Sequence, residues 1–134
     1  MPGLDEEQIT MWGYWDAPKP ELKISQLPVE FSKITGQKAT PGLYASLIQE
    51  EFDEWRSEYL RDTTASQLKE LADLLYVIYG FAHIKGWDLD EAVRRVHDNN
   101  VGRCTQEDGT IKRREDGKIL KNPHYPKVNL GDLV

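Results

Sequence analysis

Glu50-Glu51-Phe52-Asp53-Glu54 and, further on, Glu70-Leu71-Ala72-Asp73 decide how this chain reads. Residues three apart share a face of an α-helix, so Glu51/Glu54 and Glu70/Asp73 are each a pair of adjacent carboxylates. At roughly 100° per residue, with Leu43 as origin, Leu47, Trp55, Ile48, Tyr59 and Phe52 fall between about 40° and about 180°. Glu54, Glu58 and Glu51 fall within or at the edge of that apolar arc. Glu50, Asp53, Arg56 and Ser57 take the other side. From Leu68 as origin, Leu71, Leu74, Leu75, Val77, Ile78, Phe81, Ala82 and Ile84 spread over roughly 160° to roughly 340°. Glu70 lies inside that spread and Asp73 at its edge, beside Val77, Phe81 and Ile84.

A single Glu-x-x-Glu is ordinarily a pair of surface acids. Two such pairs, each on the apolar side of its helix, are different, because buried carboxylates repel one another and lose solvation. A hard divalent cation relieves both penalties, and Mg²⁺ takes carboxylate oxygens together with waters and phosphates. The sequence therefore predicts a metal site.

Around this centre the chain reads as one domain of 134 residues, all-α apart from its end. Its 39% hydrophobic and 30% charged content is that of a globular protein. A net charge of −6 argues against nucleic acid as a partner. Cys104 is the lone cysteine, which excludes an intrachain disulfide and a thiolate zinc site. No apolar run reaches membrane-spanning length and no leader is evident, so a cytoplasmic location with no membrane partner is expected.

Residues 1–27 read as a mostly irregular arm, whose Trp12 and Trp15 either stack on a base or, more often for such a pair, anchor against the body. Pro28 suits the first turn of a short helix stopped by Gly36. Thr40-Pro41 opens a long helix over about 41–61, and Thr64 with Gln67 forms a capping-box signature for the next, about 65–85, ended by Gly86. That helix is apolar around most of its circumference and is expected to be central. Asp88 with Glu91 caps a further helix to about Asn100, with an inward stripe of Leu89, Val93, Val96 and Asn100. Asn100 at the end of that stripe needs hydrogen-bond partners or merely frays the helix end. Residues 104–134 read as a hairpin around Asp116-Gly117, then an extended tail with Pro123 and Pro126.

These residues resemble the MazG-like all-α nucleoside triphosphate pyrophosphohydrolases, whose signature is Glu-x-x-Glu followed by Glu-x-x-Asp. Val96-His97-Asp98-Asn99-Asn100-Val101-Gly102-Arg103 is similar to the family's Asn-then-basic helix end. Asp116-Gly117-Lys118-Ile119-Leu120-Lys121, with Tyr125, is similar to the tail of its small single-domain members, common in bacteria and phages. The likeness spans roughly 29–130. It implies a helical bundle whose four-helix core is completed by dimerisation, as a homodimer or a dimer of dimers. It also implies Mg²⁺-dependent cleavage of a (d)NTP between the α- and β-phosphates, Mn²⁺ being a possible substitute. A purine dNTP such as dGTP follows from the phage-type resemblance, and the host cytoplasm would be the location if the protein is phage-encoded.

Carried onto this sequence, the resemblance makes Glu51, Glu54, Glu70 and Asp73 the catalytic metal ligands, with Glu50 a further acid. Asn100, Arg103, Lys121 and Tyr125 become substrate-binding residues. Tyr44 departs from the pattern, because many members carry an arginine there; Lys121, Lys118 and Lys38 are candidates to replace it at the phosphates. None of His83, His97 and His124 is assigned a role. Two other readings compete. A di-iron carboxylate bundle would need Glu-x-x-His pairs, which are absent from both acidic motifs. A non-catalytic dimerisation or nucleotide-sensing module would have no use for inward carboxylates.

Overall fold

The structure, a computed structural model, describes residues 22–134; the expected tryptophan anchors lie outside the described residues. Four α-helices and one two-stranded hairpin occur among them: α1 (Leu27–Thr35), α2 (Pro41–Leu60), α3 (Thr64–Lys85), α4 (Leu89–Arg103), β1 (Lys112–Arg113) and β2 (Ile119–Leu120). One-turn 3-10 segments stand at Ile24–Gln26 and Gly131–Leu133. The chain forms two compact units that divide after Lys85.

In the first unit local chemistry sets each boundary. Pro28 sits in the first turn of α1, and Gly36 stops it in the left-handed region at φ 69°. Thr40 caps α2 by accepting from the Leu43 amide at 3.1 Å, with Pro41 as the first helical residue. Between α2 and α3 the chain reverses through Asp62 at φ 55°, a conformation that Asp tolerates better than most side chains. Thr63 fastens this turn: its hydroxyl donates to the Glu58 carbonyl at 3.1 Å and also to the Glu58 carboxylate. Glu58, on the apolar arc by periodicity, thus serves the turn. Thr64 is the first residue of α3 instead of its cap.

Tyr44, 2% exposed, is the most buried apolar residue of this unit among the described residues. Its ring lies on Gly80 of α3, where an added Cβ would come within 2.1 Å of Tyr44 Cε1. The two helices can approach this closely because Gly80 has no side chain. Tyr44, which departs from the arginine expected from the resemblance, thus fills the core. α1 docks through Tyr76, whose hydroxyl donates to the Leu27 carbonyl at 3.3 Å and whose ring meets Phe31 edge-on at 6.1 Å. The α2–α3 hairpin is the frame that brings the two acidic pairs face to face.

In the second unit Asp88 caps α4 by accepting from the Glu91 amide at 3.0 Å. The helix does not end at Asn100: it runs on through Gly102 to Arg103, so Arg103 lies in the last turn and not beyond it. Val93 and Val96, expected to face inward, are 55% and 38% exposed. The hairpin pairs Lys112 with Leu120 and Arg113 with Ile119 around Gly117 at φ 89°. The tail then runs back along α4. Asn99 Nδ2 donates to the Pro126 carbonyl at 2.8 Å, and Arg95 grips Asp132 through two hydrogen bonds of 2.6 and 2.9 Å. That bidentate pair holds the Asp132 carboxyl below the usual range.

Candidate active site

Both acidic pairs come from mid-helix positions, where backbone geometry is fixed and only side-chain rotamers remain free. One carboxylate oxygen each from Glu51, Glu70 and Asp73 lies within 4.8 Å of the others. Glu51 Oε2 and Glu70 Oε2 are buried and have no hydrogen-bond partner. Glu54 joins the group by hydrogen bonding to both Glu51 and Glu70. Glu50 is exposed and is not brought to the group.

The electrostatics follow from this crowding. Burial, then the hydrogen bond with Glu54, then the charges of Glu54, Asp73 and Glu70 push the Glu51 carboxyl up to about 7. Burial and the Glu54 hydrogen bond raise Glu70 as well, although Lys69 acts against them. An orphaned carboxylate oxygen beside three other acids is costly unless a proton or a cation joins it. Anionic oxygen donors in this number and spacing suit a hard divalent cation, so the residues fit a metal.

Lys69 is the member that reading the acidic motifs misses. Its ammonium lies 2.6 Å from Asp73 Oδ2 and 3.4 Å from Glu70 Oε1, and the side chain is 67% exposed. The hydrogen bond to Asp73 raises its pKa. The i,i+4 spacing of Lys69 and Asp73 is the signal that would have found it.

The second unit collects the other expected residues at the end of α4. Asn100 Oδ1 accepts from Lys121 Nζ at 2.8 Å, so the amide has the partner its place in the stripe required. Asn122 fixes the tail at this point: its amide donates to the Arg103 carbonyl at 2.7 Å and its side chain accepts from the His124 amide at 2.9 Å. Arg103 Nε is buried without a partner. Tyr125 lies against Gly102, where a Cβ would stand 2.2 Å from the phenol oxygen. Asn100, Arg103, Lys121 and Tyr125 therefore converge through the returning tail. Lys118 and Lys38 are not among them: Lys118 is exposed on the hairpin turn, and Lys38 stands in the other unit.

The sequence profile of the phosphoribosyl-ATP pyrophosphohydrolases matches residues 24–100, more than half of the chain and all four carboxylates. The chain belongs to that family. The phosphoribosyl-ATP pyrophosphohydrolase family lies within the MazG-like all-α superfamily that the acidic motifs resemble. No curated protein matches the chain significantly. Membership makes this protein an enzyme, a hydrolase acting on phosphoric anhydrides, with nucleotide-type substrates. The family is typically metal-dependent, and the acidic cluster accords with that. No helix among the described residues is long and apolar enough to cross a membrane.

Proposed function

We propose that this chain is a Mg²⁺-dependent pyrophosphohydrolase that breaks a nucleoside triphosphate between its α- and β-phosphates. One water is consumed, and a nucleoside monophosphate and pyrophosphate leave. The observation that carries the reading is the trio Glu51, Glu70 and Asp73, with two buried, unpartnered oxygens, in a chain of this family.

Glu51, Glu70 and Asp73 would hold the metal, Mg²⁺ or Mn²⁺ in its place. When bound, the cation offsets phosphate charge that the protein's own acids would otherwise repel. Glu54 touches Glu51 and Glu70 but stands outside the trio, which leaves its carboxylate available to orient an incoming water or take its proton. Glu50, being exposed, serves at most at the rim. Asn100, Arg103, Lys121 and Tyr125 supply the donors for phosphate and sugar, the guanidinium of Arg103 offering two parallel hydrogen bonds.

Two substrates share this chemistry. A purine dNTP such as dGTP follows from the resemblance to small phage-type members, and phosphoribosyl-ATP is the substrate in the family's name. Both carry a 5′-triphosphate on a purine nucleotide, and both release pyrophosphate. A homodimer or dimer of dimers is the working form: Leu68, Leu71 and Leu75 on α3 are 69%, 48% and 44% exposed, a line of leucine that a second copy would cover. Pyrophosphate release measured across NTPs, dNTPs and phosphoribosyl-ATP, with Mg²⁺ and with EDTA, tests the reading. A non-catalytic dimerisation module would give no product with any of them.

A further inference from the structure

A cation already sits at the carboxylates. Lys69 Nζ, 2.6 Å from Asp73 Oδ2 and 3.4 Å from Glu70 Oε1, is hydrogen bonded to two of the acids that would ligate a metal. Its attachment is loose at the other end: the side chain is 67% exposed, so little packing holds its four-carbon stem. The three acids of the trio and Glu54 far exceed the charge of one ammonium, and Glu51 Oε2 and Glu70 Oε2 stay unpartnered with Lys69 in place. Lysine compensates the cluster without completing it.

We infer that Lys69 is a tethered cation with two stations: it occupies Asp73 and Glu70 in the free protein and turns to the substrate's phosphates once a divalent ion takes its place. This rests on the proposed metal-dependent reading. A metal on the Asp73 carboxylate competes with the ammonium for that group's charge, and like charges repel at this range. The displaced head carries three donors that need new acceptors. A polyphosphate bound beside these carboxylates would offer the freed ammonium anionic oxygens as acceptors. The exchange keeps the ammonium paired in both states, so releasing it costs little. It also couples metal to substrate: the metal frees the group that the phosphates then use.

The test uses the full chain as wild type, Lys69→Met and Lys69→Arg, with Lys33→Met on α1 as a control for net charge. Mn²⁺ alone is titrated by calorimetry, without nucleotide. Lys69→Met is expected to bind Mn²⁺ about three- to tenfold more tightly, because a competing cation has gone. In steady-state assays of pyrophosphate release it should raise KM about tenfold with a smaller change in kcat, while Lys69→Arg stays near wild type in both measurements. Lys33→Met should change neither. Unchanged Mn²⁺ affinity in Lys69→Met, or an unchanged KM, overturns the two-station role while leaving the metal site standing. Wild type that takes up no Mn²⁺ brings down the metal site and this inference with it.

Discussion

Glu51→Gln should stabilise the metal-free protein. The Glu51 carboxyl is raised from 4.5 to about 7 in the folded state, chiefly by burial and then by its acidic neighbours. A raised acid pKa means that the folded state holds the proton more tightly than the unfolded chain does, so stability falls as the proton is lost. The penalty is absent below about pH 4.5, grows between there and about pH 7, and is complete above. At about 1.4 kcal/mol per pKa unit the shift sets a ceiling of about 3 kcal/mol, and partial solvent access brings the expectation to about 1–3 kcal/mol. Glutamine keeps the shape and removes the charge. Urea unfolding in EDTA at one protein concentration should place Glu51→Gln about 1–3 kcal/mol above wild type at about pH 8 and level with it near pH 4.5. Saturating Mn²⁺ should reverse the order, since only wild type gains fully from binding. A variant no more stable at pH 8, or equally more stable at every pH, would show that Glu51 does not carry a charge penalty from the cluster.

Gly80→Ala should destabilise the first unit although alanine favours helix, because its Cβ would meet the Tyr44 ring at 2.1 Å; a loss of about 1–3 kcal/mol in chemical unfolding is expected, against a gain of about 1 kcal/mol if the contact were soft. Asn100→Ala and Arg103→Ala should lower kcat/KM by roughly 10- to 100-fold, Arg103→Ala more strongly, with Mn²⁺ affinity in calorimetry kept; two variants within a factor of about two of wild type would reduce the end of α4 to a helix terminus. Sedimentation should find a dimer or tetramer at micromolar concentration, and a stable folded monomer would leave the exposed leucines of α3 without their proposed role.

The hairpin of acidic helices is legible in the sequence because period and chemistry agree. Thr40-Pro41, Asp88 with Glu91, and Gly36 and Gly86 mark boundaries through short-range geometry, which a linear reading captures. The end of α4 is not legible: the stripe stops at Asn100, yet the helix runs on through Gly102, whose missing side chain makes room for Tyr125. The same holds for Tyr44 on Gly80, where a departure from the family pattern is a packing contact between distant positions. Lys69 escapes the sequence reading for a different reason. Acidic motifs invite counting of acids, whereas the lysine's i,i+4 link to Asp73 is in plain view. The Arg95–Asp132 clasp joins residues far apart in the chain, and nothing local in either segment signals it.

The proposed role of Glu51, Glu54, Glu70 and Asp73 is a metal-dependent pyrophosphate-releasing site. Its most direct test is product analysis by ³¹P NMR with dGTP and with phosphoribosyl-ATP, on wild type and on Glu54→Gln, Glu70→Gln and Asp73→Asn. Wild type should give pyrophosphate and the monophosphate with Mg²⁺ or Mn²⁺ and neither with EDTA, and the folded variants should give none. Orthophosphate as the first product, turnover that survives EDTA, or two variants with near-normal activity would contradict it.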